Sequence, residues 1–135
     1  MATFKDEEGR EWIVKVHYKA LQDVRDRVGI DLLDEVSNEF KGFADPINTC
    51  NALYVICEKQ CKGREMTDED FGECLVGDTY PKAVEALMRS IVDFFPSGRR
   101  KVLHAAIDAV ADHVKKTEEM FQQIPEGTLE KILNR

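Results

Sequence analysis

No apolar run in this chain approaches the roughly 20 residues of a membrane-spanning helix, so no membrane partner is expected. Basic residues are the minority. Nineteen Lys and Arg stand against 26 Asp and Glu, giving a net charge of −7 and a pI near 5.0. Nucleic-acid binding depends on Lys and Arg replacing phosphate counterions, so no nucleic-acid partner is expected either. The opening residues, MATFKDEEGREW, lack the apolar centre of a secretory signal, and the expected compartment is the cytoplasm.

Signatures of catalysis are missing as well. GIDLLDEVS has no second glycine and no lysine where a phosphate loop needs them. GxSxG and HExxH do not occur. The acidic groups Asp31–Asp34 and Asp68–Asp70 read as caps and solvated faces, the second lacking the glycine and terminal glutamate spacing of a calcium loop. Histidine is limited to His17, His104 and His113, each read as a surface or hydrogen-bonded side chain. No catalytic residue, metal ligand or cofactor is assigned, and a non-enzymatic protein is expected.

There are four cysteines but no CxxC pair. Cys50, Cys57 and Cys61 fall seven and four residues apart, which places them on one helical stripe. Zinc would need a further donor, such as His104 or His113. The favoured reading is a set of reduced core thiols, with Cys57 buried. A small metal or thiol protein built on the Cys50/Cys57/Cys61 stripe is the alternative.

With 43% hydrophobic and 33% charged residues, the 135-residue chain has the composition of one globular domain. We divide it into a hairpin over 1–16, a helical body over 17–123 and a short C-terminal segment over 124–135. In EWIVKV, Trp12, Val14 and Val16 alternate with Ile13 and Lys15, the period of a strand. Gly9 suits the turn before it. A lone hairpin is marginal, so it must lie on helices or join another chain's sheet.

Helical periods follow. Leu21, Val24 and Val28 form one stripe, with Gly29 ending it. A short second helix should end near Gly42. Asp45 and Pro46 start a largely apolar helix running to about Cys61. KGRE should be a loop, and Thr67 with Asp70 a capping box. Pro81 sits in the first turn of a helix with the stripe Val84, Leu87, Met88, Ile91 and Phe95. After Pro96, Ser97 is expected to cap a last helix carrying Leu103, Ile107, Val110, Val114 and Phe121. The fold class is mainly α, about five helices with a short N-terminal β-hairpin.

The stretch VDFFPSGRRK is first a helix–helix joint, with Phe95 expected in the core and Phe94 beside it. Arg99, Arg100 and Lys101 occupy the first turn of a helix, the unfavourable end for cations. Either Asp93 and nearby acids offset them on a solvated face, or they meet a partner. Phe94, Arg99, Arg100 and Lys101 are the candidate partner-binding residues.

Four stretches in order carry a family resemblance: FKDEEGREWIVKV followed by ALQDVRDRVGIDLLD, then NALYVICEKQ, then MTDEDFGECLVGDTYPKAVEALMRSIVDFFP with RR after it. A D-x-x-G-R-x-W hairpin, a helix ending G-[VI]-D-L-L, a D-E-D-F segment and a helix closing on F-F-P resemble the tail assembly chaperones of long-tailed (siphovirus-type) bacteriophages. The match covers about Phe4 to Leu103. It implies a non-enzymatic chaperone that binds the tape-measure protein, helps recruit tail-tube subunits, self-associates and is absent from the mature virion. A structural head–tail part of the virion is the runner-up.

Overall fold

The computed structural model describes residues 2–122, with side chains through Ala109. Strands β1 (Ala2–Lys5) and β2 (Glu11–Val14) pair antiparallel, with Phe4 opposite Trp12 and Thr3 opposite Ile13. Helices α1 (Tyr18–Arg27) and α2 (Leu32–Ser37) come next, then a 3-10 turn (Lys41–Ala44). Helices α3 (Pro46–Gly63), α4 (Asp68–Cys74), α5 (Thr79–Val92) and α6 (Ser97–Gln122) complete the described chain. The expected mainly helical fold with an N-terminal hairpin is thus present. The C-terminal segment 124–135, His113, and the side chains of Val110, Val114 and Phe121 lie outside the described residues.

The hairpin lies on helices, β1 against α5 and β2 against α3. Its alternation sorts the side chains. Phe4, Trp12, Val14 and Val16 are buried, while Thr3, Lys5, Glu11 and Ile13 stay outside. Trp12 sits at the centre of the core, edge-on to Phe71 at 5.0 Å and beside Phe4 at 6.4 Å. Leu32, Leu53, Cys57 and Leu87 belong to the same core.

Strand β2 would have a bare outer edge, an invitation to pair with another chain. Helix α3 closes it with side chains. Gln60 donates from Nε2 to the Ile13 carbonyl at 2.8 Å and accepts the Ile13 N–H at 2.9 Å. Arg64 donates to the Glu11 carbonyl at 2.7 Å, and its guanidinium lies 4.3 Å over the Trp12 ring. The edge argument for self-association therefore does not apply to β2.

Local capping sets most helix ends. His17 Nδ1 accepts the Ala20 N–H at 3.1 Å at the start of α1, which gives this histidine a structural task. Gly29, at φ +87°, turns the chain so that its N–H reaches the Val24 and Arg25 carbonyls. Asp31 and Asp45 cap α2 and α3, with Pro46 opening the latter. Thr67 and Asp70 form the expected reciprocal box at α4.

Four expectations shift. Helix α2 ends at Ser37, well short of Gly42, because Glu39 and Phe40 both turn into the left-handed region at φ 58°. Helix α3 continues through Gly63, so part of KGRE is helical. Ser97 is the first helical residue and not the cap: the Arg100 N–H bonds the Pro96 carbonyl at 2.9 Å. On α5 the buried face is Ala83, Ala86, Leu87, Ser90, Ile91 and Val92, while Val84 and Met88 are half-buried. Ala83, Ala86 and Ser90 share this face with Leu87, Ile91 and Val92, where β1 packs on α5.

The chain leaves α3 through Glu65 at φ +56°, a left-handed conformation that costs a side-chain-bearing residue roughly 1–2 kcal/mol. Glu65 is exposed. Glu65→Gly is expected to raise stability by about 1 kcal/mol, read as a higher urea midpoint. A lower midpoint would show that the Glu65 side chain holds the turn by contacts of its own.

Candidate functional site

The α5–α6 joint carries the residues singled out as partner-binding. Phe94 is 41% exposed, Arg99 and Lys101 are exposed, and Arg100 is half-buried. Phe95 is also only half-buried, against the expectation of a core ring. The Phe94 and Phe95 N–H groups bond the carbonyls three residues back, at Ile91 and Val92. That tighter last turn, ending at Pro96, lifts the ring off the inner stripe. Arg99 covers it, with its guanidinium 4.6 Å from the ring centroid. Phe95→Ala thus removes less than the ~3–5 kcal/mol of a fully buried ring.

Among the described residues, no acid forms an ion pair with the basic trio. Asp93 instead accepts from His104 Nε2 at 2.9 Å. Arg89 takes the central place: it donates to Glu85 at 2.8 Å, to Asp108 of α6, and to His104 Nδ1 at 3.3 Å. A guanidinium only donates and a carboxylate only accepts. In this arrangement His104 Nδ1 accepts and Nε2 donates. Asp108 and then Glu85, hydrogen-bonded to the guanidinium, hold the Arg89 pKa above its ordinary value. These groups are partly exposed, so each ion pair contributes up to about 1 kcal/mol.

Phe94 also lines a groove of about 470 Å³ with Val14, Lys15, Val16, Ser90 and Asp93. Ser90 Oγ accepts the Val16 N–H there at 2.8 Å. Arg99, Arg100 and Lys101 do not line this groove. The strand contribution was not visible in the sequence, because Val16 and Ser90 are 74 residues apart.

A second cleft, of about 450 Å³, opens where the hairpin turn meets α4. Glu7, Glu8, Asp70 and Glu73 line it with Arg10 and Cys74. Arg10 donates to Cys74 Sγ at 3.0 Å. At its root lies Asp6, whose side chain is 2% exposed. One carboxylate oxygen accepts the Glu8 and Arg10 N–H groups, each at 3.0 Å. The other accepts Arg10 Nε at 2.7 Å and the Trp12 indole N–H at 3.0 Å. Burial alone would push this carboxyl up. The Arg10 guanidinium, the Trp12 indole and the Arg10 amide outweigh it and bring the pKa down to about 2.

The cysteines behave as packing groups. Burial pushes Cys57 up to about 12, and burial followed by the neighbouring Cys74 pushes Cys61 up to about 11. Cys57 is fully buried as expected, and all four cysteines are free thiols. Among the described residues, no group of three His, Cys, Asp or Glu side chains is arranged to hold a metal. Nor is any helix there long and apolar enough to cross a membrane.

No family model, curated protein or solved structure matches the chain.

The depressed Asp6 pKa makes stability depend on pH. Its contribution is fully present above the ordinary carboxylate pKa and is lost as pH falls through about 2. At about 1.4 kcal/mol per unit, the shift is worth about 2 kcal/mol. Asp6→Asn also sets an NH₂ group against the Arg10 or Trp12 donors. It is expected to cost about 3 kcal/mol at pH 7, with the gap to wild type narrowing as denaturation is repeated from pH 4 down to pH 2. A gap independent of pH would mean that the charge of Asp6 does not matter.

Proposed function

We propose that this chain is a non-enzymatic tail assembly chaperone of a long-tailed bacteriophage. It binds the helical tape-measure protein, helps recruit tail-tube subunits, works in several copies in the host cytoplasm and leaves the finished particle. The carrying observation is the place in the fold of the stretches that resemble this family. Asp6, Gly9, Arg10 and Trp12 build the hairpin turn. Gly29 and Asp31 end α1 and cap α2. Thr67 and Asp70 cap α4, and Phe71 packs on Trp12. Phe94, Phe95 and Pro96 make the joint. The matched stretches are thus the successive corners of one fold, which supports reading them as a single ordered signature.

A surface for an amphipathic helix would combine exposed apolar groups with charge. Phe94, 41% exposed in the joint, and Val102, 69% exposed in α6, flank the exposed Arg99 and Lys101 in sequence. On this reading the apolar pair touches the partner's helical stripe, and the basic groups steer an acidic segment toward it.

The test is co-expression with a long helical fragment of a tape-measure protein encoded by the same phage. The fragment is expected to stay soluble and co-purify with the chain. Arg99→Glu with Arg100→Glu should leave the fold intact and weaken capture, mostly through slower association at low salt. A fragment that precipitates equally with and without the chain defeats the proposal. Capture unaffected by the double change at low salt keeps the chaperone but returns the basic trio to a solvated helix start.

A further inference from the structure

We propose that α6 is a releasable arm, which swings away from α5 about the Phe94–Pro96 joint while the hairpin and α1–α5 stay folded. This goes beyond the assembly reading and does not depend on it. Helix α6 has 26 residues and packs on α5. Its described seat is small. Ile107 is buried, Leu103 and His104 are half-buried, and most other side chains from Ser97 to Ala109 are exposed. Val92 and Ile107 are buried, yet neither belongs to the contiguous core shared by the hairpin and α3, α4 and α5.

The joint itself offers little resistance. The Phe95 N–H closes the last turn of α5 on Val92, and the Arg100 N–H opens α6 on Pro96. Among the described residues, no backbone hydrogen bond crosses from α5 to α6. Among the described residues, the polar hold on the arm is the cluster around Arg89: Asp108 and His104 reach it from α6, Glu85 lies on its own helix, and Asp93 holds the far side of His104. Asp108 is 63% and Asp93 42% exposed, so water competes for both. The body is tied differently, by side chains bonded into the backbone of β2 and of Val16. Regions held by few buried apolar contacts open below the global transition. Opening this one uncovers Val92, Leu103 and Ile107 as an apolar strip.

Hydrogen exchange of the full chain, read by mass spectrometry, tests the arm. Arg89→Ala removes the centre of the latch, and Asp108→Lys removes its anchor on α6 by leaving no acceptor for the guanidinium. In both variants, α6 amides are expected to exchange about tenfold faster, with α1 and α3 within about twofold of wild type. Binding of an apolar dye should rise in parallel as the strip is uncovered. Unchanged α6 exchange in Asp108→Lys overturns the proposal. So does acceleration of α6 and α3 together, which would make the chain one cooperative unit. If Arg89→Ala does not fold, the exposed Asp108 substitution decides alone.

Discussion

The carboxylate of Asp6 is the constraint on which the rest of the fold depends. Four donors converge on two oxygens: the Glu8 and Arg10 amides on one, the Arg10 guanidinium and the Trp12 indole on the other. The first pair shapes the turn and thereby the register that places Phe4 opposite Trp12. The second pair orients the indole, whose ring then meets Phe71 of α4 and the guanidinium of Arg64, which caps the end of α3. A buried charge is costly unless its hydrogen bonds are complete. Here each oxygen is satisfied twice, so the group specifies a geometry rather than merely surviving burial.

Beyond that turn, a two-stranded sheet becomes part of a helical protein because helix side chains act as its missing strands. Gln60 presents an amide, the same donor and acceptor pair that a backbone peptide would offer, to Ile13. Arg64 adds a donor for Glu11, and Ser90 an acceptor for Val16. Such bonds fix the hairpin on α3 and α5 without lengthening the sheet. They also bias how the protein meets others. With the β2 edge closed, contact through helical surfaces gains weight over strand exchange.

Much of this was legible where the physics is local. Period-two alternation in EWIVKV gave the hairpin, and Asp45–Pro46 and Thr67–Asp70 gave helix starts, because a cap needs only its own first turn. The hairpin's D-x-x-G-R-x-W pattern was legible as a motif, while its cause, one carboxylate shared by turn and indole, needed coordinates. What could not be read involved partners distant along the chain. Gln60 and Ile13 are 47 residues apart, and nothing in KQC marks a glutamine that will cap a strand. The inner face of α5 misled for a related reason. Leu87 and Ile91 are core as their spacing suggested, but the close packing of β1 on α5 also buries Ala83, Ala86 and Ser90, while Val84 and Met88 are half-buried. Phe95 was misplaced by extending a stripe into a turn that Pro96 had already tightened. At the candidate site the joint was foreseen, whereas the pairing of Asp93 with His104, and not with the basic trio, was not.

The two halves of the molecule therefore rest on different kinds of interaction, and these respond differently to their surroundings. The hairpin and its helices depend on satisfied buried bonds and a contiguous apolar core, which salt hardly weakens. The start of α6 depends more on half-exposed charges, which salt screens within about 10 Å at moderate ionic strength. Arg89 is the boundary between them: its helix packs under the hairpin, and its guanidinium faces outward to Asp108 and His104. A contact built this way can be exchanged for another of similar chemistry with little loss to the core. The candidate partner residues Phe94, Arg99 and Lys101 lie in the joint and first turn of α6, next to this half-exposed contact and away from the contiguous core.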